Sequence, residues 1–134
     1  MWRFFFWVSR HLPFGCKILR LFFSCDIPRK TKIGNNVRFG HKGLGIVVHE
    51  DATIEDNVMI QHHVTIGILK QGSGAPIIKE GCFIGPYAMI LGGVKIGEHS
   101  IIGAGSLVTH DVPPYTKYYD KRTASITSIQ ENSD

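Results

Sequence analysis

A six-residue beat runs through the chain from Val48 onward. Val48, Ile54, Ile60, Ile66, Ile78, Ile84, Ile90, Ile96, Ile102 and Val108 all fall on multiples of six, and Gly72 is the single break. Four residues after these beats stand small or β-branched side chains: Ala52, Val58, Val64, Cys82, Ala88, Val94, Ser100, Ser106 and Val112. Gly follows the beat directly at Gly67, Gly85, Gly97 and Gly103. A period of six suits neither a helix of 3.6 nor a long strand of 2. It suits a short strand, a tight turn and another short strand. Three such units close a triangular coil of about 18 residues, and successive coils stack at the ~4.8 Å strand spacing. The beat residue then points inward and fills the prism, and the small residue sits where the interior is narrow. Gly after the beat is expected to supply positive φ where the chain turns. A β-sandwich has irregular strand spacing and would not keep one phase for so long. The pattern therefore predicts an all-β parallel β-helix of the hexapeptide type, a solenoid of about four coils.

The earlier part keeps another phase. Ile27, Ile33 and Phe39 are six apart, with Val37 and Gly43 four after. From Phe39 to Val48 is nine residues, so three extra residues bulge out within His41-Lys42-Gly43-Leu44-Gly45. A second loop, Leu69 to Ala75, is rich in Gly and Ser. Loops leaving a rigid scaffold are where sites are built, which makes His41 a candidate. His49, His99 and His110 fall on turn positions and read as structural. His62 and His63 form a pair beside a beat; they read as structural first, with a share in a site at a subunit interface as the lesser alternative.

Residues 1–25 have a different character. Trp2, Phe4, Phe5, Phe6, Trp7, Val8, Leu12, Phe14, Ile18, Leu19, Leu21, Phe22 and Phe23 are interleaved with Arg3, Arg10, Lys17 and Arg20. No run reaches the ~18 apolar residues of a spanning helix. Pro13 and Gly15 split the region into two short segments, and no convincing signal-peptide cleavage site follows. The expected organisation is an aromatic-rich helical segment over 1–25, the β-helix over 26–115 and a tail over 116–134. The first segment is expected to pack on the solenoid or on neighbouring subunits. Residues 1–23 equally suit a peripheral membrane contact, with aromatics in the headgroup layer and cations near anionic lipid. Cys16, Cys25 and Cys82 make no zinc pattern and no even disulfide set, so a reduced, cytoplasmic chain is expected, with the membrane's inner face as its peripheral site. The net charge of +4 forms no stripe along the repeats, which argues against nucleic acid.

Asp26-Ile27 is followed fifteen residues later by His41, then by Gly43-Leu44-Gly45-Ile46-Val47-Val48. Further on come His62-His63-Val64-Thr65-Ile66-Gly67, and then Ile102-Gly103-Ala104-Gly105-Ser106 through Val112-Pro113-Pro114. With these strings, residues 26–115 resemble the hexapeptide-repeat acyltransferases, and the serine acetyltransferases among them. The resemblance implies a left-handed helix, a homotrimer and direct acetyl transfer from acetyl-CoA to a hydroxyl, with no metal. It implies that His41 is the general base and that Asp26 orients its imidazole and stabilises the imidazolium. The chemistry is apt, because a hydroxyl attacks well only as its proton leaves, and a His with pKa near 6.5 takes that proton at neutral pH. Backbone N–H groups can stabilise the thioester oxyanion. The resemblance further implies that acetyl-CoA lies between neighbouring prisms against Gly67, Pro86, Ala104 and Thr109, with Lys121 or Arg122 on its phosphates.

The chain also departs from that family. Gly40 stands where serine acetyltransferases carry an Asp before the His, and Gly74-Ala75 stand where they carry Arg-His before a Pro. Those groups help hold serine's charged ends. The long N-terminal helical domain is replaced by the aromatic-rich segment. A sugar or polysaccharide-precursor hydroxyl is therefore the expected acceptor, as in capsule, lipopolysaccharide or exopolysaccharide synthesis. Serine acetylation is the alternative, and a non-catalytic β-helix scaffold is the alternative of another class. A zinc hydratase of this fold would need a close His-x4-His pair, which is missing.

Overall fold

A computed structural model describes residues 11–120, Pro13 excepted. The phosphate contacts expected of Lys121 and Arg122, the rest of the tail and the packing expected of residues 1–10 lie outside the described residues. Among the described residues one complete helix, α1 (Gly15–Phe23), precedes thirteen short strands. These are β1 (Lys32–Ile33), β2 (Arg38–Phe39), β3 (Val47–Val48), β4 (Thr53–Ile54), β5 (Met59–Ile60), β6 (Thr65–Gly67) and β7 (Ile77–Ile78). There follow β8 (Phe83–Ile84), β9 (Met89–Leu91), β10 (Lys95–Ile96), β11 (Ile101–Ile102), β12 (Leu107–Val108) and β13 (Lys117–Tyr118). They form three parallel sheets, in the orders β1-β4-β7-β10, β2-β5-β8-β11-β13 and β3-β6-β9-β12. These are the first, second and third faces of a left-handed β-helix: the six-residue beat predicts the three-sided coil, and the family resemblance implies its hand.

The register shows how the loops are accommodated. Val47 pairs with Thr65, 18 residues on, and Ile77 with Lys95, again 18 on. Lys32 pairs with Thr53, 21 on, because the His41 bulge adds three residues. Thr65 pairs with Met89, 24 on, because the second loop adds six. An insertion of a whole repeat leaves the inward phase intact, since every beat still meets its own face.

Every beat residue from Val48 to Val108 is buried, and so is every small residue four places on. The buried hydroxyls are paired, as they must be in a dry interior. Ser100 Oγ donates to the Pro113 carbonyl at 2.8 Å and accepts from the Thr116 N–H at 3.1 Å. Ser106 Oγ accepts from the Asp120 N–H at 3.3 Å. The C-terminal coil is shorter than the others. Val112 bridges Ile96, and Ile101 pairs with Lys117, so the chain advances 16 residues per coil here. The solenoid therefore continues through Tyr118, beyond the expected limit at residue 115, because the Pro113-Pro114 turn cuts the corner and lets β13 pair.

The glycines after the beat have a different cause from the one expected. Their φ is not left-handed. A Cβ at Gly85 would lie 2.7 Å from Ala104 N, and one at Gly97 would lie 2.3 Å from Pro114 N. At Gly103 it would meet the Tyr119 ring at 2.4 Å. Glycine is required there because the next coil passes close. Left-handed φ falls instead three residues after the beat, at Asn57, His63, Gly81, Tyr87, His99 and Gly105. Two corners of the prism carry these residues in stacked columns. Between the first and second faces, Asn36 donates to Asn57 at 2.8 Å and Asn57 to Glu80 at 3.0 Å. His99 then covers Gly81 and stacks on Tyr115, centroids 5.3 Å apart, which gives it a structural role.

Candidate functional site

The His41 loop leaves the prism at the corner between the second and third faces. Its feet, Phe39 and Ile46, are buried. Between them the chain makes a tight 3-10 turn over Gly40–Gly43. His41 (φ 46°) and Lys42 (φ 59°) are both left-handed, and Gly43 and Gly45 follow at φ 70° and 66°. Two non-glycine residues in that region cost on the order of 1–3 kcal/mol each, and such strain gathers at functional sites. The turn is closed by Leu44 N–H to the His41 carbonyl at 3.2 Å and Ile46 N–H to the Gly43 carbonyl at 3.1 Å. It is anchored below by His63 N–H to the Leu44 carbonyl at 2.8 Å. Gly45 is needed for contact as well as φ, since a Cβ there would sit 2.2 Å from His63 Nδ1. His41 is left exposed at the loop's crest.

Below it the same corner carries a column of rings. His41 meets His62 edge to face, centroids 4.7 Å apart at 78°. His62 meets Tyr87 at 5.4 Å, and His63 stacks on Tyr87 at 4.8 Å and 14°. The column continues toward Pro86 and Ala104, two of the positions expected to line acetyl-CoA. Pro86 lies beside Tyr87, its carbonyl accepts the Gly105 N–H at 2.8 Å, and Ala104 lies exposed next to that contact. The repeat thus stacks His41, His62, Pro86 and Ala104 along one edge of the molecule. Among the described residues, His62 Nδ1 is the buried side-chain nitrogen or oxygen without a hydrogen-bond partner. His62 stands beside a beat in sequence, but its contact with His41 is visible only in the fold, because the three-residue bulge decides which coil lies under the loop.

Gly67 and Thr109 stand at the other edge of the third face, not in the ring column. Gly67 pairs with Leu91 and its carbonyl accepts the Gly92 N–H at 2.9 Å. Thr109 is exposed just after β12. The second loop leaves from this edge. Ser73 Oγ accepts the N–H groups of Leu69 and Lys70 at 3.2 Å, and the Ser73 carbonyl accepts the Gly93 N–H at 3.0 Å. Between the two loops runs an exposed apolar row, Val47, Met89 and Leu107. The expected cofactor positions therefore flank one face.

Asp26 enters the third face by pairing with Val47. Its N–H donates to the Ile46 carbonyl at 2.8 Å and its carbonyl accepts the Val48 N–H at 2.9 Å. Its carboxylate faces Arg20 of α1 at 3.7 Å. Among the described residues no hydrogen bond or ion pair joins Asp26 to His41. Gly40 has its side-chain space filled, since a Cβ there would lie 2.3 Å from Gln61 Oε1. Cys25 and Cys82 are buried, and burial raises both thiols, Cys25 to about 12 with help from nearby Asp26 and Cys16. Neither is a nucleophile in the folded chain. A surface groove of about 560 Å³ follows the first face between Lys32, Thr53, Asp56 and Glu80, away from the His41 and His62 column.

Comparison with known proteins agrees with this geometry. Residues 75–110 match the family model of the bacterial transferase hexapeptide (six repeats). Residues 75–110 thus carry the repeats of that family. This hexapeptide-repeat chain is 46% identical over 96 residues to the serine acetyltransferase of Salmonella typhimurium, covering 70% of itself and 35% of that protein. It thus spans about a third of the length of the curated relatives it matches. Its fold matches soybean serine acetyltransferase complexed with serine at TM-score 0.72 and 43% identity, over 77% of this chain and 43% of that one. It matches a serine acetyltransferase complexed with CoA at TM-score 0.69 and 36% identity, over 78% and 42% of the two chains.

Proposed function

We propose that this chain transfers acetyl from acetyl-CoA to the hydroxyl of L-serine, with His41 as general base. The observation that carries the reading is the exposed His41 set on the same corner column as Pro86 and Ala104, in a chain 46% identical to a serine acetyltransferase. Identity to serine acetyltransferases supports the amino acid, named above as the alternative, over the sugar hydroxyl expected first. The His41 imidazole takes the hydroxyl proton as the oxygen attacks the thioester carbonyl. The tetrahedral intermediate then expels the CoA thiolate, which receives that proton back from the imidazolium. His62 packs on the ring and holds its plane. Asp26 keeps its role as partner of the imidazolium on the family spacing alone. Acetyl-CoA takes the third-face edges, and a homotrimer in the cytoplasm supplies the neighbouring prism that covers Val47, Met89 and Leu107.

A sugar hydroxyl is the second reading, and one observation favours it. Gly40 leaves no carboxylate beside His41 and Gln61 fills its space, while Gly74-Ala75 bring no charge in the second loop. Mass spectrometry of products after incubation with acetyl-CoA separates the readings. O-acetylserine supports the first, acetylation confined to sugars in a parallel panel supports the second, and no acetylated product from either set refutes both.

A further inference from the structure

We propose that α1 docks this protein onto anionic membrane surfaces through an apolar ridge flanked by cations. Phe14, Ile18, Leu21 and Phe22 follow the i, i+4, i+7, i+8 spacing, which aligns them along one side of a helix. All four face solvent, at 62%, 42%, 79% and 71% exposure. The opposite side of the helix is the one used by the fold, where Phe23 packs against the core. Such a ridge on a nine-residue helix is not explained by the solenoid, because a helix this short depends on packing and gains nothing from two bare aromatics.

Charge identifies the partner. Residues 1–25 carry Arg3, Arg10, Lys17 and Arg20 and no Asp or Glu. The whole chain has 15 basic and 11 acidic residues, so removing these four leaves 11 against 11. The entire formal charge of +4 thus resides in this segment. The same 25 residues hold both tryptophans and six of the eight phenylalanines. Aromatic side chains suit the headgroup layer, and each cation near an anionic surface strengthens binding by about fivefold. Lys17 lies over the Phe14 ring at 5.7 Å, at the margin where ridge and cations meet. Among the described residues no helix is long and apolar enough to cross a membrane.

The helix is also tied to the His41 loop. The Phe23 carbonyl accepts the Gly45 N–H at 3.1 Å, and Cys25 lies under Gly43. Docking therefore brings that loop to the membrane surface, whichever hydroxyl it serves.

Flotation of the full chain with vesicles tests this, using phosphatidylcholine alone and with about one-third phosphatidylglycerol. Wild type is expected to bind the anionic vesicles at least about tenfold more strongly, and to lose most of that binding in about 0.5 M salt. Leu21→Glu/Phe22→Glu, whose side chains do not support the fold, should bind at least about tenfold more weakly with an unchanged circular dichroism spectrum. Lys17→Glu should weaken binding about fivefold or more. Absence of wild-type binding, or equal binding by the double variant, overturns the proposal. So does a fall in oligomer mass in the double variant without any vesicle binding by wild type, which would assign the ridge to a second copy of the chain.

Discussion

Replacing Gly97 and Gly67 by alanine should give opposite results, although both follow a beat directly. At Gly97 an added Cβ would lie 2.3 Å from Pro114 N and 2.6 Å from both Pro113 C and Pro114 Cα. Ordinary carbon contacts lie at ~3.5–4.0 Å, so the overlap exceeds ~1 Å against three backbone atoms that cannot rotate away. The Pro113-Pro114 turn must lift, which strains the bond from Gly97 N–H to the Val112 carbonyl, now 2.8 Å. Overpacking costs about 1–3 kcal/mol and the weakened hydrogen bond about 1 more, for a loss of about 2–4 kcal/mol. In a chain of this size that is a fall in melting temperature of about 8–15 °C. At Gly67 the nearest atoms to an added Cβ are Leu91 Cδ2 at 3.6 Å and Thr65 Cγ2 at 4.0 Å, which is ordinary contact. Gly67→Ala should then be neutral or gain up to about 1 kcal/mol from the less flexible unfolded chain. Urea and thermal unfolding at one fixed protein concentration measure both. Gly97→Ala melting with wild type, or Gly67→Ala losing as much as Gly97→Ala, would refute the close-approach explanation of these glycines.

Ile84, fully buried in a central coil, should cost about 2–5 kcal/mol when cut to alanine, read from the urea midpoint. His62→Ala should lower kcat about tenfold with little change in KM for acetyl-CoA, while His62→Phe, which keeps a ring edge against His41, retains most of the rate; steady-state kinetics decide. Cys25 and Cys82 should resist iodoacetamide at about pH 8 until the chain is denatured, as mass spectrometry will show. The raised Cys25 thiol also fixes a sign. Between ~8.5 and about 12 the unfolded chain sheds this proton while the folded chain keeps it, so its contribution to stability falls as pH rises through that window.

The prism was legible because its signal is periodic and one-dimensional. Each beat residue and each small residue four places on reports the same inward direction, and all of them are buried. What the period could not carry is contact between coils. The glycines after the beat look like turn residues in sequence, and only stacking shows that Ala104 and Pro114 press on them. The bulge at His41 was visible as three surplus residues, yet its strained φ and its contact with His62 depend on which coil lies below. Val112 reads as one more small inward residue, and it is buried, but it also bridges Ile96 and so shortens the last coil. Asp26 was placed by family spacing, and its carboxylate lies against Arg20, a helix residue with no part in the repeat. The acceptor was hardest to read. It rests on charges held in loops, where no period constrains the residue type: similarity to serine acetyltransferases supports serine, and the missing pair at Gly74-Ala75 supports a sugar.

The role of His41 is tested most directly by following CoA thiol release with acetyl-CoA and L-serine for wild type and His41→Ala, alongside calorimetric binding of CoA. The loop lies outside the prism, so the variant should fold and bind CoA as wild type does, with turnover down about 10²–10⁴-fold. Turnover by His41→Ala at the wild-type rate would contradict the assignment.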